Sequence, residues 1–468
     1  MRVLCFGKYP PIQGGISRTI YWAVKEAADA GHTIDVVTNA EEAEYGYRLY
    51  LFAEDRDALV PSPRVRIHNT QEIPNECYIP WANPYLSKLL GLGLDVALCD
   101  RPDLIVGWYF EPYGVAASLL GRILEIPVAL VHAGSDLGFL ASHPDLARSF
   151  RLALSLANVV STDSNERTVP ILEALGVPKS KLWFSRISPL PHCYRAPQDK
   201  LDIQDLCARS SQWWENYPVS STLVRRIQKL NEKNLNSSVF TISVYGKVGS
   251  SKGSYDLINA LSEIADNGVR FNFLTIPLGN EARLSRYFSE ILERKELCTR
   301  TWLLPPLAPW RIPSFLSCCD LVCCLEHDFA IEFHSPQILR EVLASQTCLV
   351  CSREVADKSG FADNLADGKN AVIIEEPSAT CTLVERLQEL INKPDKAKTI
   401  AAYGKALSSF FEDKAPGRGI ILDLLSDYCR SCSFQQTPVK SDPVMNEPLH
   451  RHSSLKSFLS LLSLMNTD

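Results

Sequence analysis

A chain of 468 residues is long enough for two or three domains, and its 46% apolar and 22% charged residues are those of an ordinary globular protein. A net charge of -6 excludes a global basic field of the kind that holds nucleic acid, so no nucleic-acid partner is expected. The 15 cysteines are odd in number and several sit in apolar runs, among them Cys5, Cys323, Cys324, Cys348 and Cys351, which fits free thiols in a reducing compartment better than a disulfide framework. The apolar run at residues 1–6 is too short for a signal peptide, and no stretch reaches the length of a membrane span. A cytoplasmic enzyme is therefore the expectation. Cys429 and Cys432 form a single CxxC without a partner pair, which argues against zinc.

Residues 2–6 read as a strand. A turn at Gly14-Gly15 follows, then a helix over 16–30 closed by Gly31. Further strands are expected at 33–38, 103–107, 128–132 and 158–162. Strands spaced by helices imply a parallel sheet covered on both faces. From 188 to 238 the pattern breaks into a polar, helical stretch with Trp213, Trp214 and a basic run near Arg225. Alternation restarts at 239–245 and continues with strands at 271–275, 301–304, 321–325, 347–351 and 371–374. The fold class is thus α/β, with two Rossmann-like doubly wound domains at 1–187 and 239–412. A helical insert or linker, 188–238, lies between them, and an extension, 413–468, follows. Ligands on such sheets bind at the carboxyl ends of the strands. Two such domains facing each other would form a cleft. Within the extension, 437–452 is polar and Pro-containing and is expected to be partly disordered. Residues 453–465 read as a short amphipathic helix, docked on the protein or peripherally on a membrane.

Four local patterns fall at strand-to-helix junctions. The first, Tyr9-Pro10-Pro11-Ile12-Gln13-Gly14-Gly15, pairs glycines that let a backbone approach a ligand, or simply make a tight turn. The second, Val131-His132-Ala133-Gly134-Ser135-Asp136, puts a histidine at a strand's carboxyl end, where a sugar hydroxyl or a structural role both suit it. The third runs Tyr245-Gly246-Lys247-Val248-Gly249-Ser250-Ser251-Lys252-Gly253. Its two ammonium groups and free loop N–H groups suit a diphosphate, against the alternative of a solvated loop. The fourth covers 331–344. There Ser335 reads as an N-cap and Pro336 as the first helical position, with Glu341 one turn beyond Gln337. A helix start suits a phosphate, and a carboxylate further along can accept two ribose hydroxyls.

In this order the four patterns resemble the family-4 retaining glycosyltransferases of the glycosyltransferase B fold. That family begins with a strand, a Pro-Pro-x-x-Gly-Gly loop and a helix. Its second domain opens with Gly-Arg and then Lys-Gly, and later carries two glutamates separated by seven residues. Arg101-Pro102-Asp103-Leu104-Ile105, Glu173-Ala174-Leu175-Gly176, Cys319-Asp320-Leu321-Val322 and Asp367-Gly368-Lys369-Asn370 are also similar to that family. The likeness spans about residues 1–185 and 239–412. It implies transfer of a hexosyl or related glycosyl group from a nucleoside-diphosphate sugar to an acceptor hydroxyl, with retained configuration. No metal and no cofactor beyond the donor are implied. The acceptor stays open among glycan, lipid, peptide and small molecule.

Carried over, the resemblance implies catalytic roles for His132, Lys247, Lys252 and Glu332, with the lysines neutralising the donor diphosphate. It implies donor contacts from Gly14, Gly15, His334, Ser335, Pro336 and Glu341, and base contacts from the backbone at 304–307. Three departures stand out. Lys247 replaces the arginine of the Gly-Arg pair, keeping the charge and losing the bidentate fork. Eight residues, not seven, separate Glu332 from Glu341, so Glu332, Phe333 and His334 compete for the sugar-contacting position. Ser188-Pro189-Leu190-Pro191-His192 stands where Asn-Gly often follows the first domain's last strand. Acceptor contacts are expected from first-domain loops around Trp81, Trp108 and Tyr109. Two other readings remain: a nucleotide-sugar-binding protein of the same fold with weakened catalysis, and an NAD-dependent oxidoreductase. Against the latter, no Gly-x-Gly-x-x-Gly follows the first strand of either half.

Overall fold

The computed structural model describes residues 1–71, 84–162, 168–330, 336–415 and 417–430, with side chains as far as Asp427. The chain divides into two units, each built on its own parallel sheet.

Among the described residues, the first unit takes Met1–Ala43, Ala53–Pro189 and the chain from Ala415 to Arg430. Its strands are β1 (Arg2–Phe6), β2 (Thr33–Thr38), β3 (Val65–Asn69), β4 (Leu104–Trp108), β5 (Val128–Val131), β6 (Val159–Thr162) and β7 (Leu182–Phe184). Their order is β3-β2-β1-β4-β5-β6-β7, all parallel. The chain adds strands to one side of β1, then crosses to the other at β4. The β1–β4 pair is therefore the topological switch point, where open α/β sheets bind ligands.

The second unit takes Glu44–Phe52 and Leu190–Lys414. It holds β8 (Thr241–Lys247), β9 (Asn272–Leu278), β10 (Thr301–Leu303), β11 (Leu321–Cys324), β12 (Cys348–Ser352) and β13 (Val372–Ile374), in the order β10-β9-β8-β11-β12-β13. Here the switch point is the β8–β11 pair.

The central strands are nearly continuous apolar runs because helices cover both faces of each sheet. β4 and β12 are buried along their whole length. The cysteines in these strands act as small hydrophobes, with burial pushing the thiols of Cys5, Cys348 and Cys351 up to about 12. One device recurs in both units. The residue before β4, Asp103, accepts the Arg2 N–H at 2.8 Å, and the residue before β11, Asp320, accepts the Thr241 N–H at 2.8 Å. Each aspartate thus caps the first strand of its sheet from the neighbouring strand. That gives the Arg-Pro-Asp and Cys-Asp-Leu-Val motifs a structural purpose.

β3 and β7, the edges of the first sheet, are absent from the sequence-based expectation. β7 has only three residues, and β3 alternates Val65, Ile67 with the polar Arg66, His68. The alternation is a strand signature, but it is short and half exposed. Tertiary contacts hold β3: His68 Nε2 and Arg66 Nε lie 2.8 and 2.9 Å from the carboxylate of buried Asp35 in β2. Burial pushes the Asp35 carboxyl up, but the bonds from His68 and Arg66 and the charge of Arg2 outweigh it and bring it below the usual range.

The helices Ile203–Arg209, Ser211–Glu215 and Ser221–Asn231 bury Trp213, Trp214, Ile227 and Leu230 in the core of the second unit. Asp202 and Ser220 cap two of them through the N–H groups of Asp205 and Leu223. The strap Glu44–Phe52 packs there too, with the Tyr45 ring 5.6 Å from that of Trp213. In the first unit, the helix Ile420–Arg430 is held by Asp427, which accepts from Trp183 Nε1 at 2.9 Å and pairs with Arg186 at 2.9 Å. No described helix is long and apolar enough to cross a membrane. Cys432, the polar stretch 437–452 and the amphipathic stretch 453–465 lie outside the described residues.

Candidate functional site

In the second unit the glycine-lysine loop leaves the carboxyl end of β8. Lys247, the last residue of that strand, is exposed. The loop turns through one 3-10 turn, Ser250–Lys252, and closes on Gly253 at φ 65. A Cβ on Gly253 would stand 2.3 Å from the Leu325 carbonyl oxygen, so only glycine lets the loop lie against the end of β11. The N–H of His327 donates to the Ser251 carbonyl at 3.0 Å and ties the two strand ends together.

Lys252 does not stand alone. Its ammonium pairs with the buried carboxylate of Glu326, two residues past β11, and lies 3.4 Å from the centroid of the Phe329 ring. Beside it, His327 is held between Asp256 at 3.0 Å and Asp328 at 3.1 Å. The bond to Asp256 does most to raise its pKa, to about 9, so the ring is a cation at neutral pH. Neither Glu326 nor His327 is among the residues expected from the sequence. Their signal was the run Glu326-His327-Asp328 directly after a strand.

The second acidic feature is Glu341. Its carboxylate is buried and accepts a hydrogen bond from the Tyr245 hydroxyl at 2.8 Å, reaching from the β8 side of the sheet. The helix that carries it runs Ile338–Ala344. Its first helical bond is donated by the Glu341 N–H to the Gln337 carbonyl at 3.2 Å, which makes Gln337 the N-cap. The expected start at Ser335 and Pro336 is thus corrected: Pro336 precedes the helix, because the backbone bonding begins only at Gln337. The helix has seven residues. Glu332, Phe333, His334 and Ser335 lie outside the described residues.

The backbone expected to read a base is partly committed. The Leu304 N–H donates to the Thr275 carbonyl at 2.8 Å, and the Pro306 carbonyl accepts from the Tyr50 N–H at 2.7 Å. The strap Glu44–Phe52 therefore uses an acceptor that the sequence reading left for ligand.

In the first unit, Gly14 takes φ 114 and precedes the helix Gly15–Asp29. Among the described residues, no atom beyond the neighbouring chain lies within 4 Å of a Cβ placed on Gly14 or Gly15, so this backbone is open to close approach. His132 follows β5, with Nε2 3.3 Å from the Thr162 hydroxyl at the end of β6. The same loop contains a residue missed at the sequence level. Asp136 is fully buried and accepts three backbone N–H groups, from Ala133 and Leu137 at 2.8 Å and from Phe110 at 3.0 Å. Burial pushes its carboxyl up, while His132 and the three N–H groups pull the other way. Its position within the quoted His132–Asp136 run was the available clue. Trp108 is buried packing, and Trp81 lies outside the described residues. Among the described residues no group of three or more His, Cys, Asp or Glu side chains is placed to hold a metal ion.

No protein-family model and no curated protein sequence matches this chain. Solved structures do resemble it. Sucrose-phosphate synthase from Thermosynechococcus elongatus has a TM-score of 0.58 at 13% identity, covering 92% of this chain and 98% of that one. HepE from Anabaena, in complex with UDP-glucose, has a TM-score of 0.54 at 14% identity over 92% and 98%. WaaG, a glycosyltransferase involved in lipopolysaccharide biosynthesis, has 0.53 at 12% identity over 89% and 100%. Likeness at such identity speaks to architecture and leaves the chemistry to the residues. With its two doubly wound parallel sheets, this chain has the glycosyltransferase B fold.

Proposed function

We propose that the protein is a glycosyltransferase that moves a glycosyl group from a nucleoside-diphosphate sugar to an acceptor hydroxyl, with retention of configuration. The observation that carries this reading is the buried carboxylate of Glu341, held by the hydroxyl of Tyr245 on β8, the strand whose carboxyl end carries the glycine-serine-lysine loop. A loop of that kind suits a diphosphate and a fixed carboxylate suits a ribose diol. UDP-glucose, the ligand in the HepE structure, represents the donor class we assign.

In this reading the leaving group is a diphosphate, and the main task is to stabilise its growing charge. Lys247, Lys252 and the loop N–H groups do so, each such donor being worth about 3 kcal/mol. Glu341 accepts the ribose hydroxyls. Gly14 and Gly15 admit the donor to the first unit's backbone, and His132 contacts the transferred sugar, with Glu332 or His334 as the further sugar contact. No metal ion takes part.

A second reading has one observation in its favour. Glu326 already neutralises Lys252, so a donor diphosphate must compete with a carboxylate for that ammonium. This suits a protein that binds nucleotide sugars and turns them over poorly.

The experiment is a thermal-shift panel of nucleoside diphosphates and nucleotide sugars, followed by transfer and hydrolysis assays on the donors that bind. Turnover that disappears in Lys252→Ala and Glu341→Ala, with unfolding temperatures retained, supports the transferase. Binding with neither transfer nor hydrolysis supports the second reading. A panel without any stabilising nucleotide sinks both.

A further inference from the structure

Lys8 and Tyr109 flank the switch point of the first sheet. Lys8 stands two residues past β1, and Tyr109 directly follows β4. The Lys8 ammonium lies 4.2 Å from the centroid of the Tyr109 ring.

Tyr109 is held in a conformation that a side chain resists. Its φ is 78, which for a residue with a Cβ costs about 1–2 kcal/mol. Three contacts impose it. Its N–H donates to the Val131 carbonyl at 3.0 Å, its carbonyl accepts from the Gly114 N–H at 2.9 Å, and its hydroxyl lies 3.1 Å from the Ser135 hydroxyl. The next residue, Phe110, is pinned through its N–H to Asp136. Strain maintained this way at the carboxyl end of a sheet is a mark of a ligand site.

Asp136 is the nearby carboxylate, but its oxygens are taken up by three backbone N–H groups. It acts on Lys8 through space only, and no ion pair among the described residues includes Lys8. Burial lowers the Lys8 pKa, which records an ammonium largely withdrawn from water. Part of the side chain still reaches solvent. A cation half-removed from water, braced by an aromatic ring and lacking a carboxylate in contact, is prepared for an anion from outside.

We propose that the carboxyl ends of β1 and β4 bind an anionic acceptor, seating its phosphate or carboxylate against the Lys8 ammonium. Calling the ligand the acceptor rests on the glycosyltransferase reading; the anion site itself does not.

The test titrates the full chain with glucose 6-phosphate, glucuronate and glucose, and separately with UDP, in the wild type and in Lys8→Met. The expected result is that one or both charged sugars bind about tenfold more tightly than glucose, the size of one charge-assisted hydrogen bond. The phosphate and carboxylate arms show which anion is preferred. In Lys8→Met that preference is lost and the UDP titration is unchanged. Equal binding of charged and neutral sugars, or a preference that survives in Lys8→Met, overturns the proposal. Should Lys8→Met fail to fold, a salt titration on the wild type serves instead, the preference falling as ionic strength rises. Charge preference without UDP binding leaves the anion site standing, and the nucleoside-diphosphate panel then decides the glycosyltransferase reading. UDP binding without charge preference overturns the anion site and leaves that reading standing.

Discussion

Lys252 and Glu326 form an ion pair at the β8–β11 switch point, with the carboxylate buried and the ammonium lying over the Phe329 ring. The lysine assigned to the donor diphosphate therefore already has a counter-ion. Binding of a diphosphate must loosen that pair, and the carboxylate left beside the phosphates repels them. Glu326→Gln is expected to tighten UDP binding about tenfold, on the scale of one charged contact. Lys252→Met should weaken it by a similar factor. Calorimetric titration of UDP into both variants checks this. Weaker binding in Glu326→Gln would instead make the glutamate a support that positions Lys252.

Glu341 should distinguish ribose from deoxyribose. Wild type is expected to bind UDP about tenfold more tightly than its 2′-deoxy analogue, and Glu341→Ala to bind the two equally. Tyr245→Phe removes the hydroxyl that donates to Glu341 at 2.8 Å. Leaving a buried carboxylate short of a donor should cost about 1–3 kcal/mol of stability. Denaturant unfolding measures the second effect and competition titration the first.

Gly253→Ala should damage both fold and site. The position combines φ 65 with a Cβ placed 2.3 Å from the Leu325 carbonyl oxygen. The left-handed conformation alone costs about 1–2 kcal/mol, and the clash with backbone adds to it. The loop must move away from β11, carrying Lys252 with it. A loss of about 2 kcal/mol or more in urea unfolding, together with loss of UDP binding, is expected. An alanine variant with wild-type stability would contradict the described packing.

Glu26 sets a pH dependence in the first unit. Burial, with Asp29 and Asp423 adding to it, raises its pKa from 4.5 to about 7. The folded state therefore holds a proton that the unfolded chain releases at lower pH. The stability this contributes is complete below about 4.5, declines as pH rises, and is gone above about 7. Glu26→Gln keeps the neutral form at every pH. It should be more stable than wild type by about 3 kcal/mol at pH 8 and nearly equal to it at pH 4. Thermal unfolding across that range decides it, and a constant difference would refute the assignment to Glu26.

Two doubly wound units were legible in the sequence because strands buried on both faces must be continuous apolar runs, and the helices between them must be amphipathic. The glycine-lysine loop was legible for a related reason. Its conformation depends on the left-handed backbone at Gly253, which residue type alone reports. Edge strands β3 and β7 were not, since an edge is short, half exposed and held by partners such as Asp35 that lie on another strand. The helix start at Gln337 escaped as well: Ser335 and Pro336 satisfy the composition of a cap, but the first backbone bond forms further on. The partnerships at the candidate site lay further still from local reading. Glu326 is 74 residues from Lys252, and Glu341 is 96 from Tyr245. Asp136 draws its three N–H groups from two separate loops. Local spacing determines which element a residue joins. Sheet order and register determine which strand ends become neighbours, and with them which charge faces which.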